Sequence, residues 1–226
     1  MNIALILAGG TGMRLSADLP KQYIEVSGKP MIAYCLDTFE QNKDIDEIRI
    51  VADVGWYEYI RAWTGSKFRG FSKPGENRQL SIFQGLCDME EDIGADDIVI
   101  IHDAARPLVS DKLISDCLAA CKRHEGAMPF LAMKDTVYLG DGATITGLLD
   151  RSRVYAGQAP EAFVFGAYFE ANKRLLPAQI REINGSAEPA VMAGMDIALL
   201  PGDEMNFKIT TDEDLRRFLR LKEGQK

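Results

Sequence analysis

Short runs rich in Ile and Val recur along the chain, separated by stretches whose apolar residues fall at helical spacing, and this alternation is the tightest constraint on the fold. Ile3 to Ala8, Ile48 to Ala52, Ile98 to Ile101, Met128 to Met133 and Met195 to Leu200 read as buried strands. Between them, Met31, Ile32, Cys35, Leu36 and Phe39 mark one amphipathic helix. Leu113, Ile114, Cys117, Leu118 and Cys121 mark a second, and Leu215, Phe218 and Leu219 a third. Thr210 followed by Glu213 predicts a capping box at the start of that last helix. The alternation predicts an α/β fold, a mostly parallel Rossmann-like sheet with helices on both faces. At 226 residues, 46% of them hydrophobic, the chain suits one domain spanning 1–226.

In such sheets ligands bind outside the carboxyl ends of the strands. That rule selects the loop after Ala8, the segment after Ile101 and the residues beyond Leu200. The stretch from Lys134 to Gln158 breaks the pattern: Tyr138-Leu139 and Thr144-Ile145-Thr146 flank Gly140-Asp141-Gly142, which predicts a β-hairpin arm over about 134–158. A projecting hairpin needs a surface to lie against, and a second copy of the chain is the economical partner.

The first apolar run has no basic segment before it and no small-residue cleavage site after it, and it is too short to span a bilayer, so a cytoplasmic chain without a membrane partner is expected. Cys35, Cys87, Cys117 and Cys121 form no C-x-x-C pair. Cys117, Cys121 and His124 do share a helical face; core thiols beside a helix-end histidine is the ordinary reading of that face, and a metal site is the alternative. A net charge of −8 excludes broad nucleic-acid binding, so an anionic ligand must meet a local cluster of cations.

Gly9-Gly10-Thr11-Gly12-Met13-Arg14 directly follows the first strand, and its glycines let backbone N–H groups approach phosphates. It lacks the Gly-Lys-Ser/Thr ending of a P-loop, and Leu15 stands where a dinucleotide fingerprint needs its third glycine. Arg14 and then Pro20-Lys21 place two cations around a bed of amides, which suits a triphosphate. His102-Asp103-Ala104-Ala105-Arg106-Pro107 follows Ile101 and sets a carboxylate just past a strand end, where it can hold Mg²⁺ shared with substrate phosphates. His102 has no partner serine in a nucleophile-elbow context and reads as a packing residue.

These segments together resemble the CTP-dependent polyol-phosphate cytidylyltransferases, the family that includes 2-C-methyl-D-erythritol 4-phosphate and ribitol-5-phosphate cytidylyltransferases. The resemblance runs through residues 7–14, Pro20 to Tyr23, Gly75 to Ser81, His102 to Pro107, Lys134 to Thr136, Asp150-Arg151, Gly157 to Pro160 and Lys208 to Thr210. It implies a glycosyltransferase-A-like nucleotidyltransferase fold with a dimerisation hairpin, and transfer of CMP from CTP to a polyol phosphate. By the same resemblance Arg14, Lys21 and Lys208 are catalytic. Leu7, Ala8, Gly9, Gly10, Thr11, Gly12, Gly75, Glu76, Arg78, Ser81 and Ala104 bind CTP. Thr136, Arg151, Asn184 and Arg106 bind the acceptor, with the arm reaching a neighbouring subunit, and Asp103 holds Mg²⁺.

Two departures fall in the acceptor half: Asn184-Gly185-Ser186-Ala187-Glu188 replaces a usual Thr-Asp pair, and Ala159 replaces a usual threonine. The Gly-Gly-Thr-Gly loop and Tyr155-Ala156-Gly157-Gln158 lean toward the ribitol-phosphate branch, while the His102 to Pro107 segment is shared with the methylerythritol branch. Isoprenoid, teichoic-acid and capsule synthesis all stay open as pathways. A non-catalytic nucleotide sensor, a transferase for a different sugar phosphate and a nicotinamide-dependent dehydrogenase are the alternatives.

Overall fold

The structure, a computed structural model, describes residues 1–10 and 19–224. In chain order the elements are β1 (Asn2–Leu7), β2 (Glu25–Val26), β3 (Lys29–Pro30), α1 (Met31–Gln41), β4 (Glu47–Val51), α2 (Tyr57–Arg61), β5 (Phe68–Ser72) and α3 (Arg78–Cys87). They continue with β6 (Ile98–Asp103), α4 (Asp111–Ala120), β7 (Gly126–Ala132), β8 (Tyr138–Gly140), β9 (Ile145–Leu148), β10 (Tyr155–Gly157) and β11 (Glu161–Val164). α5 (Phe165–Lys173), α6 (Glu188–Met192), β12 (Ile197–Pro201) and α7 (Asp212–Glu223) complete the described chain.

The central sheet runs β10-β7-β11-β6-β1-β4-β5, with β12 also on β7. β1 pairs in parallel with both β4 and β6, β4 with β5, and β12 with β7. β11 is antiparallel to β6 and β7, so the sheet is mixed where strict alternation predicts parallel neighbours. The reason is local: β11 runs straight into α5, with Phe165 N–H on the Asp97 carbonyl, and no crossover helix precedes it.

Alternate residues of β1 feed opposite cores. Ala4 and Ile6 pack with Ile32, Leu36 and Phe39 of α1 and with Ile114, Cys117 and Leu118 of α4. Ile3 and Leu5 pack with Ile82 and Leu86 of α3 and with Phe165, Tyr168 and Phe169 of α5. Burial on both faces is why the strands read as continuous apolar runs. α7 closes a smaller cluster, with Phe218 against Val26, Met31 and Ile209. Its capping box is formed by Thr211 and Asp214, not by Thr210 and Glu213. Thr210 still donates both its N–H and its hydroxyl to the Asp214 carboxylate, while Glu213 pairs outward with Arg216 and Arg220.

The hairpin predicted inside 134–158 forms as β8 and β9, antiparallel, with the Asp141 carboxylate accepting from the N–H groups of Ala143 and Thr144 across the turn. It ends earlier than the sequence pattern suggests, because β10 returns to the central sheet on β7. Tyr138, Leu139, Ile145 and Leu148 of the hairpin are all exposed.

Cys117 and Cys121 are buried free thiols; burial pushes Cys121 up to about 12. His124 pairs with Asp196 instead of with them. Among the described residues no three His, Cys, Asp or Glu side chains cluster to hold a metal, and no helix is long and apolar enough to cross a membrane.

His102 is fully buried on β6 against Phe39, with Nε2 3.0 Å from the Arg106 carbonyl. Burial holds its pKa down to about 4. The unfolded chain binds a proton near pH 6.5 that the folded chain refuses, so the stability held by neutral His102 is present above pH 6.5 and lost as pH falls toward 4. Chemical unfolding is expected to show wild type losing about 2 kcal/mol more than His102→Gln between pH 7 and pH 5. Parallel profiles for the two proteins would contradict this.

Candidate active site

The carboxyl ends of the parallel strands β5, β4, β1 and β6 converge on one cleft of about 740 Å³. Leu7, Ala8, Gly9 and Gly10 line it from β1, Asp53 and Trp56 from the turn after β4, Pro74 to Arg78 from the turn after β5, and Asp103 and Ala105 from β6. Lys208 and Thr210 enter just before α7, and Pro20 to Tyr23 close the near side. The three places chosen from the sequence therefore meet, although Lys208 stands seven residues past β12 instead of at its end.

Asp103 is the charged centre. Arg78 approaches its Oδ1 with Nε at 3.1 Å and Nη2 at 3.0 Å, Lys208 Nζ lies 2.9 Å from Oδ2, and Arg106 Nε stands 3.8 Å from Oδ2. Burial acts to raise the Asp103 pKa, but Arg78, Lys208 and Arg106 outweigh it and hold the carboxyl well below the usual carboxylate range. The group is an anion at any working pH. Removing one member of such a buried set strands the others, at a cost of about 3–5 kcal/mol.

Hydrogen bonds from neighbouring segments place these groups. Ile209 N–H donates to the Ala105 carbonyl at 2.8 Å, and the Ile209 carbonyl accepts from Lys21 Nζ at 2.7 Å, so Lys208 and Lys21 are held on one tethered strip. Arg106 Nη1 donates to the Asn206 carbonyl at 2.7 Å, and Asn206 Nδ2 to the Ala159 carbonyl at 2.7 Å. The buried Gln158 amide bridges to Asp203 with bonds of 2.9 and 3.0 Å.

On the opposite wall Asn77 caps α3 through the Leu80 N–H, and Ser81 Oγ accepts from Gly75 N–H at 3.0 Å while donating to the Asn77 carbonyl at 2.8 Å. A Cβ on Gly75 would come within 2.5 Å of Leu80 Cβ and 2.6 Å of its backbone carbonyl carbon, so only glycine fits. A Cβ on Gly9 would lie 2.6 Å from Pro74 Cβ, which shows how closely the loops after β1 and β5 touch. Glu76 is exposed and pairs with Arg181.

Ala104 lies behind the cleft, with its N–H on the Leu7 carbonyl. Thr11, Gly12 and Arg14 fall outside the described residues. Thr136 and Arg151 sit on the exposed arm, where Arg151 Nη1 donates to the Lys134 carbonyl at 2.6 Å, and neither lines the cleft of its own chain. Asn184 lies in an exposed turn, its N–H on Glu188 Oε1.

Residues to which sequence reasoning gave no role of their own shape the same cleft. Gln22 Nε2 donates to the carbonyls of Ala8 (2.6 Å) and Gly10 (2.8 Å), Tyr23 Oη donates to Ala8 at 3.0 Å, and Trp56 stacks on Tyr23 at 4.1 Å. Gln22 and Tyr23 follow Lys21 directly, and that adjacency was the available signal.

The chain is similar to known proteins over nearly its whole length. A ribitol-5-phosphate cytidylyltransferase of Vibrio parahaemolyticus is 33% identical over all of this chain and 97% of its own length. A 2-C-methyl-D-erythritol 4-phosphate cytidylyltransferase of Rubrobacter xylanophilus is 35% identical over 94% of this chain and 91% of its own. The crystal structure of 4-diphosphocytidyl-2C-methyl-D-erythritol synthase from Anaerococcus prevotii superposes with a TM-score of 0.83 at 25% identity, covering 98% of this chain and 96% of that one. The profile of the IspD family, 2-C-methyl-D-erythritol 4-phosphate cytidylyltransferase, matches residues 2–218, and the chain belongs to that family.

Proposed function

We propose that this protein transfers CMP from CTP to a polyol phosphate and releases pyrophosphate, using Mg²⁺ and acting as a homodimer. The observation that carries the reading is Asp103 at the end of β6, ringed by Arg78, Arg106 and Lys208 and facing the Gly75 to Ser81 turn across one cleft. In this reading the glycine loop with Arg14 and Lys21 takes the triphosphate. The rigid Gly75–Ser81 turn takes the cytosine.

An oxygen of the acceptor phosphate forms a bond to the α-phosphorus in line, the bridging bond to the β-phosphate breaks, and pyrophosphate leaves with its electrons. The nucleophile is already an anion, so no general base is needed, and a buried neutral His102 suits that chemistry. Positioning and charge neutralisation by Lys21, Lys208 and Arg14 supply the catalysis. Among the described residues no three His, Cys, Asp or Glu side chains cluster, so an ion held at Asp103 would complete its shell from water and substrate phosphates. Bound at Asp103, Mg²⁺ would offset charge on the nucleotide phosphates.

The exposed apolar side chains of the hairpin support a second copy as its cover, an arrangement in which Thr136 and Arg151 serve the neighbouring cleft. Relatives with the two acceptor names match at similar identity, so they do not separate the acceptors. Ribitol 5-phosphate is placed first on the glycine loop and the Tyr155 to Gln158 segment, and 2-C-methyl-D-erythritol 4-phosphate second. The altered Asn184 to Glu188 segment favours a nucleotide sensor as the competing reading.

A pyrophosphate-release assay with CTP and both acceptors tests the assignment. Turnover is expected for wild type, with Lys21→Ala slower by about 100-fold and its melting temperature little changed. CTP binding without turnover on any acceptor would select the sensor, and undiminished turnover in Lys21→Ala would remove the site. Gly75→Ala is expected to raise the KM for CTP at least about tenfold with the KM for the acceptor held, since the added methyl displaces the base-facing turn. An unchanged KM for CTP would place the base elsewhere.

A further inference from the structure

The turn that leads into α3 is held mostly by its own helix and by the Asp103 centre. Gly75 N–H donates to Ser81 Oγ, the Asn77 side chain accepts from Leu80 N–H, and Arg78 pairs with Asp103. Glu76 is the exception. Its side chain lines the cleft, is 70% exposed, and among the described residues has one ion-pair partner, Arg181, 105 positions further along the chain.

Arg181 stands on a fixed platform. Ile180 beside it is fully buried, and its N–H donates to the Leu175 carbonyl at 2.9 Å. The Arg181 carbonyl accepts from Asn77 Nδ2 at 3.0 Å while its guanidinium takes Glu76 Oε2, so one residue grips two neighbours of the turn. An exposed ion pair adds little to stability. Its use here is positional: it holds the Glu76 carboxylate at one place on the cleft wall. A carboxylate accepts hydrogen bonds and donates none. Set against a pyrimidine, it favours the amino group that cytosine presents and disfavours the carbonyl oxygen that uracil carries at the same ring position. We propose that Arg181 is a positioning residue for base selection, acting through Glu76 to make the cleft prefer CTP over UTP. This rests on the reading above, in which the Gly75 to Ser81 turn takes the base.

Calorimetry with CTP and with UTP, each with Mg²⁺, tests the proposal on the full-length protein without turnover. Wild type is expected to bind CTP more tightly. Arg181→Ala is expected to lower the ratio of CTP to UTP affinity at least about threefold with its melting temperature little changed, a size within reach of an exposed ion pair. Arg181→Lys, which restores the charge, is expected to recover most of the ratio. Glu76→Gln is expected to lower the ratio as well, and adding Arg181→Ala to it to lower it no further. A purely structural role would weaken both nucleotides alike and leave the ratio unmoved. Equal affinities in wild type, a smaller fall in Arg181→Ala, no recovery in Arg181→Lys, or a further fall in the double variant overturns the proposal. Binding of neither nucleotide by wild type would overturn the reading of the cleft itself, and the proposal with it.

Discussion

The ionised carboxylate of Asp103, buried at the end of β6 and shared among Arg78, Arg106 and Lys208, is the interaction on which the rest of the cleft depends. Each cation comes from a different place: Arg78 from the first turn of α3, Arg106 from the turn after β6, and Lys208 from the strip before α7. One anion thus ties three segments together across the sheet. A buried charge pair is costly to form and more costly to break, so this centre buys geometric definition more than raw stability. It leaves a chain of net charge −8 with a concentrated positive site where an anionic substrate would need one.

The scaffold around that centre was largely legible in the sequence, because its signals are periodic and local. Five apolar runs became β1, β4, β6, β7 and β12, each within a few residues of its expected bounds, and the hairpin formed around its glycine turn. The misses have physical reasons. β11 is short and antiparallel, entered from the Gln158 to Pro160 segment, and a four-residue strand has no period to detect. The cap of α7 moved one residue because Asp214 can accept from Thr210 and Thr211 together, whereas Glu213 finds arginines on the outer face.

The site divides along the same line. Lys21, Arg78, Asp103 and Lys208 line one cleft, and each is a charge inside one of the segments on which the family resemblance rests. Gln22, Gln158 and Asn206 carry no charge, and their work is to donate to carbonyls far away in sequence.

The most direct test of the central role of Asp103 is proton relaxation of water with Mn²⁺ in place of Mg²⁺, measured in the presence of CTP and saturating protein. Wild type is expected to enhance relaxation beyond that of Mn²⁺ with CTP alone, and Asp103→Asn, shown to be folded and to bind CTP by calorimetry, is expected to lose that enhancement. Equal enhancement in Asp103→Asn, or none in wild type, would contradict a metal-holding carboxylate at the end of β6.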